Sequence, residues 1–210
     1  MLAKGTRLRR GHKNAHPDPT ALVPGLGDTR FAPLPDTHHV YVASYSVAAL
    51  LESAFHDAAP PKPRIRAAQL TQWMESAVQL TRDVRLIDLR DDQLAALGIE
   101  RNQLVATDAA HYLCTRRWAE RLRGRAIGGH RTTGLIWNSR QAELHARAIA
   151  DRPAVQELMT VAPSEVAVIW QDATEPSPLA PAGGGRGRLD HGPGLDFAVD
   201  LGAALGITIL

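Results

Sequence analysis

"HHVYVASYSVAALLESAFHDA", His38 to Ala58, changes its period halfway along. "HHVYVAS" alternates and is rich in β-branched residues, so it reads as a strand. From there Val47, Leu50, Leu51, Ala54 and Phe55 recur at helical spacing, and "VAALLESAFHDA" reads as a helix for which Ser44 or Ser46 can supply the N-cap. A strand running straight into an amphipathic helix commits the chain to sheet and helix packed together. Glu52 lies beside the apolar stripe of that helix, where a carboxylate costs free energy unless it is paired or hydrogen-bonded. Read from the pattern alone, it is a surface glutamate bordering the core, with Tyr41 and Arg30 as candidate neighbours.

Working outward, "GTRLRRGHK" predicts a short strand through Leu8, and Asn14 to Pro35 is polar and proline-marked, too irregular for continuous secondary structure. Loops of that length are often functional. Downstream, residues 58–66 read as a proline-rich basic connection. "QLTQWMESAVQLTRDVRLIDLRD" is ambiguous, with a helical opening and a strand at Val84 to Leu89. "DDQLAALGI" is a short helix stopped at Gly98. "DAAHYLCTRRWAERLRG" is a helix of about four turns, with Tyr112, Leu113, Trp118 and Leu122 as its apolar face.

"TTGLIWNSRQA", Thr132 to Ala142, sets an apolar strand against four hydrogen-bonding side chains, Asn138 to Gln141. Polar turn residues commonly end strands, and that reading stands unless distant partners for Ser139 exist. "QAELHARAIADR" reads as helical or irregular, "EVAVIW" as a strand and "TEPSPLAPAGGGRGR" as a flexible loop. "LDFAVDLGAALGITIL" reads as a helix to Leu205 and a last strand. Strands and helices mix without strict βα alternation, so the fold class is α+β.

With 210 residues, 44% of them apolar and 22% charged, the chain is long enough for one domain with its own core. A net charge of +2 is a weak argument for nucleic acid, although Arg116 to Arg131 is locally basic. One cysteine, Cys114, excludes an intramolecular disulfide and a cysteine-based zinc site, and reads as a small hydrophobe beside a helix stripe. The nine histidines lack metal-site spacing, and no metal is expected. "GGGRGR", Gly183 to Arg188, follows prolines and opens no helix directly, which makes it a poor phosphate loop. No stretch approaches a membrane span and no apolar segment follows the basic N-terminus, so a cytoplasmic location is expected.

Six stretches, "GTRLRRGHK", "GDTRFAPLPD", "HVYVASYSVAALLESAFH", "VRLIDLRDDQLAALGI", "HYLCTRRWAERL" and "TGLIWNSRQ", together resemble, in order, the RES-domain family, named for an arginine, a glutamate and a serine. The resemblance covers about residues 5–170. It implies a single domain over 1–210, in which 172–192 form a flexible loop and 193–210 a helix and strand packing back on the core. It also implies a fold similar to ADP-ribosyltransferases, with a mixed sheet flanked by helices.

By the same resemblance the chain is the toxin of a bacterial toxin-antitoxin pair and destroys NAD by cleaving its nicotinamide–ribose bond. The carry-over makes Arg10, Glu52 and Ser139 the catalytic set, with Arg7 and Arg9 as alternatives to Arg10. Arg30, Phe31, Tyr41 and Trp137 become substrate-binding residues. NAD is then a substrate rather than a cofactor, no other cofactor is implied, and water or inorganic phosphate is the acceptor. The implied partner is an Xre-like antitoxin, with a homodimer of the toxin inside the complex and no direct contact with nucleic acid or membrane. Two other readings stay open: ADP-ribosyl transfer to a macromolecule, and an inert basic module using Arg116 to Arg131.

Overall fold

Seven strands hydrogen-bond into one sheet, and the computed structural model of the protein describes it within residues 1–25, 28–58, 63–148 and 165–210. The strands are β1 (Arg7–Lys13), β2 (Thr37–Ala43), β4 (Trp73–Leu80), β5 (Ile87–Asp88), β8 (Gly134–Asn138), β9 (Glu165–Asp172) and β10 (Leu179–Arg188). Their spatial order is β10-β4-β1-β2-β9-β8-β5, antiparallel throughout except for β5 against β8. Two small sheets stand apart: β3 (Arg64–Ile65) with β11 (Thr208–Ile209), and β6 (Ala126–Ile127) with β7 (His130–Arg131). The helices are α1 (Ser46–Leu51), α2 (Ala67–Leu70), α3 (Asp91–Ala96), α4 (Arg101–Leu104), α5 (Tyr112–Leu122), α6 (Arg140–Ala148) and α7 (Gly192–Leu205).

The helices cover one face of the sheet. One apolar cluster joins Ala43, Leu135, Trp137, Val166 and Val168 of the strands to Ala48 and Ala49 of α1, Leu94 of α3, Leu104 of α4 and Ala119 of α5. A second gathers Leu50 and Leu51 of α1 with Leu70, Ala142, Ala198, Leu201 and Leu205. The opposite face buries Leu8, Val40, Val42, Val78, Leu80, Ile136 and Ile169 under Val84, Leu86, Leu2 and Leu22. The two-residue period of a strand assigns each side chain to one face or the other. On β1, Arg9 and Gly11 therefore look toward the helices, and Leu8, Arg10 and His12 look away.

Several elements depart from the sequence reading for identifiable reasons. The helix after β2 lasts six residues. Tyr45 occupies its N-cap without a side-chain bond, while Ser46 donates to Glu75 (2.8 Å) and Ser44 bonds the Glu165 backbone. It stops because Ser53 Oγ bonds the Ala49 carbonyl (2.5 Å) and Phe55 N closes on Leu50 O (2.9 Å), giving the backbone alternatives to the helical ladder.

The helical opening at 69 amounts to the four-residue α2, and "WMESAVQL" is the strand β4, paired along both edges by β1 and β10. Of the strand expected at Val84 to Leu89, only β5 and a bridge from Val84 to Leu2 form. The stretch 172–192, expected to be a flexible loop, contains the ten-residue edge strand β10, bulged between Ala182 and Gly187. Gly185 explains how: a Cβ there would press on Ala77 N (2.9 Å) and Ser76 Cα (3.0 Å) of β4. α5 buries Thr115 and Ala119 and leaves Leu113, Trp118 and Cys114 exposed, because Thr115 Oγ1 bonds the Arg30 carbonyl and turns its small-residue side inward. The connection at 59–62 lies outside the described residues.

His39, on the same strand face as Tyr41, and Arg10, on the opposite face of the sheet, are both buried. Burial lowers the His39 pKa to about 4, with the Arg10 charge adding to the effect. Burial likewise lowers that of His12. Unfolded histidine binds its proton near pH 6.5, so between pH 6.5 and 4 the unfolded chain takes up protons that the folded chain refuses. Stability is thus fully present above pH 6.5 and falls as pH drops toward 4. The melting temperature is expected to fall over that window, and His39→Leu to flatten the slope by on the order of 1–3 kcal/mol. An unchanged slope in a thermal melt series would show that His39 is not the group responsible.

Candidate active site

A cleft of about 300 Å³ opens between β1, β2 and the end of α1. It is lined by Arg9, Arg30, Tyr41, Glu52, Tyr112 and Trp137 among others. Counting Asp28 and Trp73 as well, two arginines, two carboxylates and four Tyr or Trp side chains meet in a single concavity, the ordinary composition of a site for a charged, ring-bearing ligand.

Glu52 enters because α1 ends there: the residue takes the C-cap position (φ −86°, ψ 4°), half-buried at the cleft wall. Its position depends on Gly11. A Cβ at Gly11 would collide with Ser53 Oγ and come within 2.9 Å of the Ala49 carbonyl, so only a bare strand lets the end of α1 sit this close to β1.

Ser139 meets Glu52 from the other side of the sequence. Its Oγ donates to Glu52 Oε1 at 2.6 Å, and the Gln141 N–H points to the same oxygen at 3.4 Å. Ser139 Oγ also accepts from Ala142 N at 3.1 Å, the bond an N-cap residue makes at the start of a helix. One hydroxyl therefore caps α6 and fixes the carboxylate, with Glu52 Oε2 left without a protein partner among the described residues. The other polar residues after β8 turn elsewhere: Asn138 Oδ1 accepts from Asp91 N (3.1 Å) and Arg140 donates to Thr107 O (3.2 Å).

Arg30 is buried, donates to the Thr107 carbonyl at 2.9 Å, and lies 5.5 Å from the Tyr112 ring centroid. Tyr41 shares its hydroxyl with Thr29 Oγ1 (2.8 Å) and accepts from Phe31 N (3.2 Å); burial pushes its pKa up to about 12, which keeps it neutral across the physiological range. Trp137 stands edge-on to Tyr41 at 6.2 Å.

Phe31 is corrected. It is fully buried, edge-on to Trp137 at 5.0 Å, and does not line the cleft; it backs the ring that does.

Arg10 does not line the cleft either. Strand alternation turns it away from the cleft, where it donates to the carbonyls of Pro19 (2.7 Å) and Ala21 (2.9 Å) and tethers the 14–35 segment. Desolvation lowers its pKa to about 10, partly offset by Asp18. The arginine of β1 that reaches the cleft is Arg9, one of the two alternatives left open by the sequence. Arg10→Ala leaves two carbonyls without their donor and is expected to cost about 1–3 kcal/mol of stability in denaturant melts; full stability would mean the segment is held by other contacts.

Sequence reasoning missed Tyr112, which it assigned to a helix stripe, and Thr29, Ser53, His56 and Trp73, which also line the cleft. Only the adjacency of Ser53 and His56 to Glu52 could have suggested them.

Part of the basic run from Arg116 is engaged in internal contacts. Arg116 meets Asp28 (2.8 Å), Arg123 meets Asp172, and Arg125 bonds the Arg121 carbonyl (2.9 Å). That weakens the reading of a basic module for nucleic acid. Among the described residues no group of histidine, cysteine and carboxylate side chains could hold a metal, and no helix is long and apolar enough to cross a membrane.

Comparison with known proteins bears on the fold and the family. A chain from the crystal structure of the M. tuberculosis MbcT-MbcA toxin-antitoxin complex superposes with a TM-score of 0.56 at 14% identity, over 94% of this chain and 90% of that one. The likeness is one of fold. Among curated protein sequences none matches significantly. The RES domain matches residues 6–171, a span that contains Arg9, Arg30, Tyr41, Glu52 and Ser139, and the chain belongs to the RES domain family.

Proposed function

We propose that the protein degrades NAD by breaking the bond between nicotinamide and ribose. The observation that carries this reading is the 2.6 Å bond from Ser139 to Glu52, two residues 87 positions apart, inside a cleft that also holds Arg9 and Arg30. Nicotinamide leaves as a neutral molecule, so the difficulty is the oxocarbenium-like cation left on the ribose, as in glycoside cleavage. Glu52 stands ready to stabilise that charge. Ser139 holds one carboxylate oxygen, and the free Oε2 can accept a ribose hydroxyl or polarise the incoming nucleophile. Guanidinium groups suit a pyrophosphate because they are permanently charged and bond bidentately. Tyr112, Tyr41 and Trp137 offer faces and edges for the rings.

Either of two nucleophiles completes the reaction. Water gives nicotinamide and ADP-ribose; inorganic phosphate gives nicotinamide and an ADP-ribose phosphate. A protein of this family that removes NAD would be toxic to its host, and the MbcT-MbcA likeness favours a toxin held in check by a partner antitoxin. Mass analysis of the products from purified protein with NAD, with and without phosphate, tests the reading. Nicotinamide release is expected, with product mass naming the acceptor. Label from adenylate-labelled NAD retained on a macromolecule would instead mean transfer, and no release from folded protein would end the proposal.

A further inference from the structure

"GGGRGR" is neither a phosphate loop nor a flexible linker. It is the edge of the sheet beside β4, and it sits against a carboxylate that the reaction does not use. Glu75 of β4 is fully buried on the helix-covered face, opposite Gly11 of β1. Three groups surround its carboxylate. Ser46 Oγ donates to Oε1 at 2.8 Å, the Arg186 N–H of β10 donates to Oε2 at 2.8 Å, and Arg9 Nη1 lies 3.5 Å from Oε1. Arg9 Nη1 also donates to the carbonyl of Gly184 on β10.

A buried carboxylate is strongly unfavourable without such partners. Two of these three are fixed by secondary structure: Ser46 begins α1, and Arg186 N–H is held at the β10 bulge. The carboxylate is therefore immobile, and the long arginine side chain is the partner that adapts to it. With Nη1 engaged by Glu75 and Gly184, Arg9 keeps Nε and Nη2 without a protein partner among the described residues, and the residue lines the cleft. Its side chain remains 29% exposed, enough to meet a ligand.

We propose that Glu75, with the glycine-rich strand β10, is a positioning residue that fixes the Arg9 guanidinium for a diphosphate group in the cleft. This rests on the NAD reading only for the identity of the ligand; the diphosphate chemistry can be tested separately. Glu75 does not touch substrate. It acts by sparing Arg9 the search among rotamers that a long flexible side chain would otherwise make on binding.

The test is a cycle of Glu75→Gln, Arg9→Ala and the double variant, with a thermal melt of each as a control for the fold. Glu75→Gln removes the charge, while its amide oxygen can still accept from the Arg186 N–H and its NH2 can donate to Ser46 Oγ, a hydroxyl able to accept. It is expected to raise KM for NAD roughly tenfold with kcat within about twofold, the pattern of lost ground-state binding. In the Arg9→Ala background the same change should add nothing.

Equal KM in wild type and Glu75→Gln overturns the inference. So does the same rise in KM when Glu75→Gln is added to Arg9→Ala, which would make Glu75 an anchor for α1 instead. If wild type turns over no NAD, calorimetry with inorganic pyrophosphate decides the matter. Binding weakened roughly tenfold by Glu75→Gln, and only when Arg9 is present, supports the positioning role; no binding, or equal binding, overturns it.

Discussion

Glu52→Gln is expected to lower NAD turnover by roughly 10²- to 10³-fold while the protein stays folded. The amide is the right replacement because it keeps the shape and the acceptor oxygen that Ser139 Oγ and Gln141 N–H already address. What disappears is the negative charge facing the ribose. A positive charge develops on the ribose only as the nicotinamide bond breaks, so the loss should fall on kcat, with KM for NAD changed little. The comparison with Ser139→Ala is informative. That change leaves the carboxylate charged but loosens it and uncaps α6, so a smaller rate loss should come with about 1 kcal/mol of lost stability. Turnover in Glu52→Gln equal to wild type would remove Glu52 from the chemistry. A KM effect with kcat intact would make it a binding group.

Glu52 also shows how far a sequence can be read. Its pattern alone gave a surface glutamate bordering a helix, and the family resemblance singled it out. The structure supplies the reason for its position: α1 stops at Leu51, so the residue that continued periodicity would leave on a helix flank becomes a terminus facing a cleft. The stop comes from the Ser53 back-bond and the Phe55 closure, neither of which a hydrophobic stripe records. Ser139 was legible for a complementary reason: a polar run after an apolar strand raised a question that a distant carboxylate then answered.

Arg9 and Arg10 could not be told apart in the sequence because "RLRR" offers arginines on both faces of a strand, and the face follows from which neighbours it pairs with rather than from the residues themselves. The same limit hid β4 and β10. Both are strands because each completes the other's ladder, and composition read over β10 alone gives glycine and a flexible loop.

Gly11→Ala is expected to damage both the fold and the site. The added methyl has no room: it meets Ser53 Oγ, the Ser53 Cβ at 3.0 Å and the Ala49 carbonyl at 2.9 Å. Of these only the Ser53 hydroxyl can rotate away, and it is held by its own bond to Ala49 O. The end of α1 must therefore lift off β1. Overpacking of this kind costs about 1–3 kcal/mol, and the displacement is carried directly to Glu52, the next residue toward the helix.

A shift of about 1 Å at a catalytic group can cost on the order of 10²-fold in rate, so activity should fall further than stability. Adding Ser53→Ala to Gly11→Ala removes the worst of the collision but leaves the Cβ and the carbonyl in place. Partial recovery of the melting temperature, with turnover still well below wild type, is the expected result. Full activity in Gly11→Ala would mean that α1 can move without disturbing the carboxylate, and the link drawn here between a bare position on β1 and the placement of Glu52 would fail.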